Sequence, residues 1–276
     1  MEIAIAISTS AFRSAPATNF IVTESDNKII TESGDFVIPE AYVCKSLDFD
    51  GVNERLFTGT EAALNIEWST PFSIEMWVKI DSQLSTYAYI FKTRSPNGIL
   101  ISRALSGGKI WFELLGTGAT NTRVIADSTM VFGAWHHIVV TSDGTGLQSG
   151  LEIYINDVQQ IKINTGSNNI NTGSMLSAST FLELMRFASV YTDGALRGVR
   201  MWTNRVLSAG DVNTLWNSGF YNASPPHIPD LVANYDMSTA KWNTVEFDIA
   251  DEFGSTAGLT SQNMEETDLI TDCPTP

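Results

Sequence analysis

Apolar and polar side chains alternate with a period of two over one short stretch after another. The stretches are LDFDG (47 to 51), FSIEMWVKI (72 to 80), YAYIFKT (87 to 93), GILISRA (98 to 104), KIWFELL (109 to 115), WHHIVVTSDG (135 to 144) and LEIYIND (151 to 157). Successive side chains of an extended strand point to opposite faces, so this pattern makes strands with one dry face rather than helices. Pro96-Asn97-Gly98, Gly107-Gly108, Asp143-Gly144 and Asn156-Asp157 punctuate the stretches, at the spacing of a β-sandwich and not of βαβ units. Hydrophobic residues make up 43% of the 276 and charged ones 17%, which rules out a disordered chain and supplies a sizeable core. Trp77, Trp135 and Trp202 lie inside alternating strands, and core packing is the expected role of rings that size.

One helix is legible. Ser208 is placed to cap it, Asp211 stands at the third helical position, Leu207 and Val212 form a hydrophobic staple, Leu215 and Trp216 continue the apolar stripe, and Gly219 ends it. Pro225, Pro226 and Pro229 break the chain before a last region with strand-like pieces, LVANYDM and TVEFDIADEF, and an acidic end.

The N-terminal region has a different texture. VTESDNKI (22 to 29) is followed without a gap by ITESGDFV (30 to 37) and then by IPEA, the start of a decayed third copy. Val22, Ile30 and Ile38 open the copies, Glu24 and Glu32 recur within them, Val37 closes the second, and Ser-Asp-Asn or Ser-Gly-Asp supplies the turns. Two or three short strands are marginal in water, so this strand-turn ribbon is expected to lie on its own domain or to serve as an assembly arm. The chain divides accordingly into an arm (1–42), a sandwich domain (43–224) and a C-terminal strand-containing extension packed on it (225–276).

Sixteen Lys and Arg against 31 Asp and Glu give a formal charge of −15, with no basic run, so nucleic acid and anionic lipid are not expected partners. No apolar run reaches the ~18 residues of a membrane span, and the opening MEIAIAISTSAF does not read as a secretion signal. Two cysteines, Cys44 and Cys273, and three histidines are too few for a zinc or Cys/His catalytic centre; His136 and His137 are adjacent, on opposite faces of a strand.

FSIEMWVK, then WHHIVVTSDGTG with LEIYIND, then LRGVRMWTNRVLSAGDVNTLW, resemble in content and order the laminin-G-like and pentraxin-like members of the concanavalin A-like jelly-roll superfamily. The resemblance covers about Lys45 to Gly219. It implies an all-β fold: a two-sheet antiparallel jelly-roll sandwich with one short helix, here preceded by the strand-turn arm. First and last strands are commonly neighbours in a jelly roll, which would bring Cys44 and Cys273 within reach of a disulfide. Some relatives are laminarinase-type glycoside hydrolases with carboxylates alternating on one strand, and Glu246, Asp248 and Asp251 form a lookalike. It lies after the last family motif and has Asp where the final Glu belongs, so an edge strand in water is the expectation. Pentraxin-like members hold calcium through a Glu-Gln-Asp cluster, and Met185, Arg186 and Phe187 stand about where it would be. No cofactor is expected; the alternative is a structural calcium at Asp48, Asp50 and Asn53.

Trp68, Tyr87, Tyr89, Trp111 and Trp242 are the candidates for stacking on a sugar ring or serving a protein interface. The TESG octads also resemble those of virion-associated proteins of tailed bacteriophages. Together these give the expected function: a non-enzymatic virion structural protein, a capsid decoration or head-fibre component, displaying a lectin-like adhesion domain. Its arm would join other virion proteins, its sandwich would meet host-surface glycans, and it would be a homo-oligomer on the virion surface, assembled in the host cytoplasm. The alternative is a carbohydrate-binding module or adhesin of a cellular protein, and the third reading is a glycoside hydrolase.

Overall fold

The computed structural model describes residues 20–22, 29–31 and 36–37, then 44–274 apart from 84, 94–96, 169, 177–179, 222–224 and 253–255. The chain forms two compact units, residues 1–44 and 45–276. In the first, strands Phe20–Val22, Ile29–Thr31 and Phe36–Val37 pair antiparallel in sequence order, with Ile30 opposite Ile21 and Phe36. Val22, Ile30 and Val37 of the repeat fall in these strands; Glu24, Glu32 and Ile38 lie outside the described residues.

The second unit is a two-sheet antiparallel sandwich. One sheet runs in the order Val158–Gln159, Leu151–Ile155, Trp135–Ser142, Phe72–Ser82, Asp193–Thr203, Ser46–Asp50, Leu269–Ile270, with Leu231–Asp236 also paired to Asp193–Thr203. The other runs Lys162–Asn168, Asn121–Thr129, Lys109–Leu115, Gly98–Ala104, Tyr87–Thr93, Leu182–Leu184, Arg55–Phe57, Leu259–Gln262, Phe247–Ile249, Lys241–Trp242. Residues 225–276, expected as an extension, therefore supply strands of both sheets. Asn156 and Asp157, both at positive φ (51° and 66°), make the two-residue hairpin whose twist matches the flanking strands.

Between the sheets the alternating positions meet: Ile74, Met76, Val78 and Ile80 from one side, Ile99, Ile101, Ile110, Phe112 and Leu114 from the other, all fully buried. A second apolar cluster lies on the opposite face of the first sheet, where Val139, Tyr154, Trp202 and Leu231 pack with Leu207, Val212 and Leu215 of the helical segment. The helix spans Ala209–Ser218; Ser208 accepts from the Asp211 backbone N–H while the Asp211 side chain accepts from Ser208, and Gly219 closes it at φ 56°.

The tryptophans divide between these layers. Trp77 and Trp202 are buried, but under the helical segment rather than between the sheets: Trp77 stacks on Trp216 at 5.1 Å, and Trp202 Nε1 donates to the Pro226 carbonyl at 2.8 Å. Trp135 is only half-buried and donates to Asp272. Both cysteines are disulfide-bonded, and as the chain has two they are bonded to each other.

Gly198 is where the helical layer presses closest. A Cβ there would stand 2.3 Å from the Phe220 ring, which also covers the Arg200 guanidinium at 3.9 Å. Gly198→Ala is expected to displace Phe220 and lower stability by about 1–3 kcal/mol, read as a drop in the urea midpoint at unchanged slope. An unchanged midpoint would show that the layer yields freely.

Candidate functional site

The outward face of the ten-stranded sheet gathers aromatic rings. On Tyr87–Thr93 the side chains of Tyr87 and Tyr89 face away from the core, and a bulge just after them turns both Ile90 and Phe91 inward. The neighbouring strand presents small residues beneath them, with Ala104 opposite Tyr87 and Ser102 opposite Tyr89; Ser102 also faces Trp111 on its other side. The rings lean together over these gaps: Tyr87 meets Trp111 edge-on at 5.0 Å and Tyr89 at 5.8 Å, and Tyr89 meets Phe187 edge-on at 4.9 Å. All four are half-buried.

Phe187 reaches the face through a small hairpin, Arg186–Phe187 paired with Val190–Tyr191. Met185 (φ 61°) and Ala188 (φ 55°) hold the left-handed conformation that this hairpin needs, at about 1–2 kcal/mol each. Thr192 Oγ1 donates to the Tyr89 carbonyl at 2.7 Å, and the Met185 N–H to that of Ile90 at 3.0 Å. Charges border the rings. Arg123 lies over Trp111 at 4.3 Å with Glu113 3.8 Å away, and Lys92 Nζ lies over Phe187 at 5.2 Å. Burial, then the neighbouring Tyr87 and Glu113, raise the Tyr89 phenol, so it stays a neutral hydroxyl.

Of the five candidate aromatics, Tyr87, Tyr89 and Trp111 come together. Trp68 instead donates to the Gly173 carbonyl at 2.9 Å and packs on the core. Trp242 packs on Phe247 at 5.0 Å, and five strand spacings, ~24 Å, separate its strand from Tyr87–Thr93. Phe187 and Arg123 escaped sequence reasoning because hairpin 186–191 and the Asn121–Thr129 strand carry no strong alternation.

The carboxylate lookalike does not converge. Asp248 is exposed and accepts from Asn243 at 2.9 Å, and Glu246 precedes the short strand Phe247–Ile249. Asp251 is buried, its oxygens taken by the backbone N–H groups of Asn234 (3.0 Å) and Thr256 (2.8 Å) and by the Thr256 hydroxyl. Of the calcium candidates, two are engaged in protein contacts: Asp50 Oδ1 accepts from the Val52 and Asn53 N–H groups, and the Asn53 carbonyl accepts from Asn263; Asp48 lies on Ser46–Asp50 opposite Ala195. Among the described residues no group of three His, Cys, Asp or Glu is arranged to hold a metal, and no helix is long and apolar enough to cross a membrane.

One group of buried charges lies beneath the helical layer. Glu75, fully buried, binds His137 Nε2 at 3.0 Å and Arg200 at 3.1 Å; Arg200 Nε donates to Asn234 at 3.0 Å, and Arg197 pairs with Asp236. Burial alone would raise the Glu75 carboxyl, but Arg200 and His137 outweigh it and hold it below its usual range. Sealed from solvent, this network orders strands and offers no reacting surface.

A family model described as the concanavalin A-like lectin/glucanases superfamily matches residues 56–213. The chain belongs to this superfamily. Among solved structures, a protein from Bacteroides ovatus named for carbohydrate binding aligns over 80% of this chain and 58% of its own, at 16% identity and TM-score 0.53. That likeness shows the fold. The heptameric SAP-like pentraxin of Limulus polyphemus aligns over 79% of this superfamily member and 95% of its own chain, at 14% identity and TM-score 0.49. No curated protein matches the sequence.

One acid of the sandwich is set to titrate near neutrality. Burial, reinforced by Asp268, Asp50 and Asp48, pushes the Glu54 carboxyl up to about 7 despite a bond from the Asp50 N–H. A raised carboxyl stabilises the fold below its unfolded value and loses that contribution as pH rises through its folded value. Glu54→Gln is therefore expected to raise the melting temperature at pH 8 and leave it nearly unchanged at pH 4. Equal effects at both pH values would show that Glu54 does not titrate in this range.

Proposed function

We propose that the chain is a non-enzymatic adhesion protein of a tailed-bacteriophage particle, a capsid decoration or fibre component, whose lectin-like sandwich binds glycan on the Tyr87, Tyr89, Trp111 and Phe187 face. That row of half-exposed rings carries the binding half of the reading. Aromatic side chains offer large, rigid, amphipathic area to an apolar sugar face at low entropic cost, and polar groups at their rim orient the hydroxyls. The carbohydrate-binding name of the Bacteroides ovatus protein is consistent with it. The particle half is supported by the TESG octads and by residues 1–44 forming a compact unit that contains a three-stranded sheet, suited to attachment through backbone pairing. Glu246, Asp248 and Asp251 take no catalytic part in this reading, since a retaining glycosidase needs two carboxyls ~5–5.5 Å apart across an open cleft.

Tyr89→Ala is expected to weaken binding to glycans captured on an array about tenfold, ~1.4 kcal/mol, while Trp242→Ala leaves it unchanged. Deleting residues 1–43 is expected to leave a folded, glycan-binding sandwich that no longer joins particles seen by electron microscopy. Binding that survives Tyr89→Ala would move the site off this face, and particles that still carry the truncated chain would remove the attachment role.

The disulfide favours a second reading, an exported carbohydrate-binding module of a cellular protein, because such bonds persist in oxidising compartments. Thiol titration under denaturing, non-reducing conditions separates the two. A virion protein is expected to show two free thiols in the producing cytosol and none on released particles; an exported module shows none in either place.

A further inference from the structure

We infer that the glycan face reads a neutral sugar, one of whose hydroxyls donates to the carboxylate of Glu113 while its ring lies on the row of Tyr87, Tyr89 and Trp111. This deepens the glycan reading above and rests on it.

Alternation along Lys109–Leu115 sets the carboxylate on this face. Ile110, Phe112 and Leu114 go into the core, which leaves Trp111 and Glu113 on the outward side, about 7 Å apart along the strand. Ser102 and Leu100 stand opposite them on one neighbouring strand, Ile125 and Arg123 on the other. The charge of Glu113 is felt at the Tyr89 phenol, so the carboxylate borders the ring row itself.

The protein leaves this carboxylate short of donors. Asn121 Nδ2 donates to Oε1 at 2.6 Å. Arg123, directly opposite, approaches the same oxygen only to 3.8 Å, beyond hydrogen-bond range, with its guanidinium over Trp111 at 4.3 Å. Among the described residues nothing donates to the second oxygen, Oε2, and that atom is not sealed from solvent. An ionised carboxylate has about four lone-pair sites, and a donor that reaches one of them makes a charge-assisted bond. The opening is small, with 11% of the Glu113 side chain and 22% of that of Arg123 exposed. A hydroxyl fits it. An acidic sugar would meet like charge there, on a chain whose formal charge is −15.

A pyranose lying on aromatic rings turns its equatorial hydroxyls sideways along the sheet, toward the Glu113 end of the row. Stacking supplies contact area to any sugar, whereas the acceptor discriminates. A site built to hydrogen-bond a hydroxyl rejects an analogue without it far more strongly than an apolar surface tells shapes apart.

The test uses the full-length protein and immobilised hexaoses of glucose, mannose, galactose and xylose, each native and per-O-methylated, with hexagalacturonate as the acidic comparison. At least one native neutral hexaose is expected to bind about tenfold more tightly than its methylated form and than hexagalacturonate. Methylation removes the donors and adds apolar area, so stacking alone would not give that order. Glu113→Gln keeps the shape of the side chain and removes its charge; the preference for the native form should fall to about threefold, with an unchanged melting temperature showing that the variant folds. A preference kept whole in Glu113→Gln would show that bulk rejects the methyl groups, and would overturn the inference. Native and methylated forms bound equally by the wild-type protein would overturn it without any variant, and hexagalacturonate bound as tightly as the neutral sugars would overturn the neutral class. In each of these cases loss of binding in Tyr89→Ala leaves the glycan reading standing. Binding to none of these probes would overturn both.

Discussion

A carboxylate sealed from water at the middle of Phe72–Ser82 constrains the sandwich more tightly than its apolar core does. Leu, Ile and Val are interchangeable to a first approximation, and a core built of them tolerates substitution. Glu75 does not share that tolerance. It must meet Arg200 from the strand on one side and His137 from the strand on the other, and Arg200 must meet Asn234 from a fourth strand. A slip of one residue would bring Glu75 between the sheets and send Ile74 and Met76 toward the helix. Leaving one partner of such a network unmatched costs about 3–5 kcal/mol, a large part of the stability of a typical domain. Register among the central strands is thus fixed electrostatically, and the helical layer closes over charges that have already found one another.

Much of the sandwich was readable because its strands alternate strongly. FSIEMWVKI, GILISRA and KIWFELL each put every second side chain into the inter-sheet core, and the Ser208 to Gly219 helix announced both of its caps. Asn121–Thr129 and Leu182–Leu184 were harder to see. The first mixes Thr, Arg, Asp and Ser among its apolar residues, and the second is too short for any period to show. Trp77 and Trp202 were readable as buried but not as facing the helical layer, because alternation gives the two faces of a strand without saying which is the sandwich interior. The C-terminal strands were read as an extension because the family motifs stop before them, yet they pair with strands from the start of the domain.

The ring cluster obeys the same limit. Tyr87, Tyr89 and Trp111 could be marked from sequence because they occupy outward positions of strong strands. Their assembly with Phe187 depends on a hairpin held by two left-handed residues that are not glycine. Met185 and Ala188 give no sign of this conformation in the sequence. The face is therefore a product of topology: strong strands supply a flat support, and weak local signals decide what stands on it.

The bond between Cys44 and Cys273 bears on how the sandwich meets mechanical tension. Just inside the bond, Leu269–Ile270 pairs with Ser46–Asp50 at Leu47 and Ser46, and Asp272 is clasped by Lys79 at 2.7 Å and by Ser46 Oγ through its carbonyl. A pull entering along the chain before Cys44 is divided at that residue between two neighbouring strands. Each resists as part of the same hydrogen-bonded sheet, so the load enters the sandwich through two strands at once. The sandwich, enclosed almost whole within the loop, is shielded from unravelling from its own first residue.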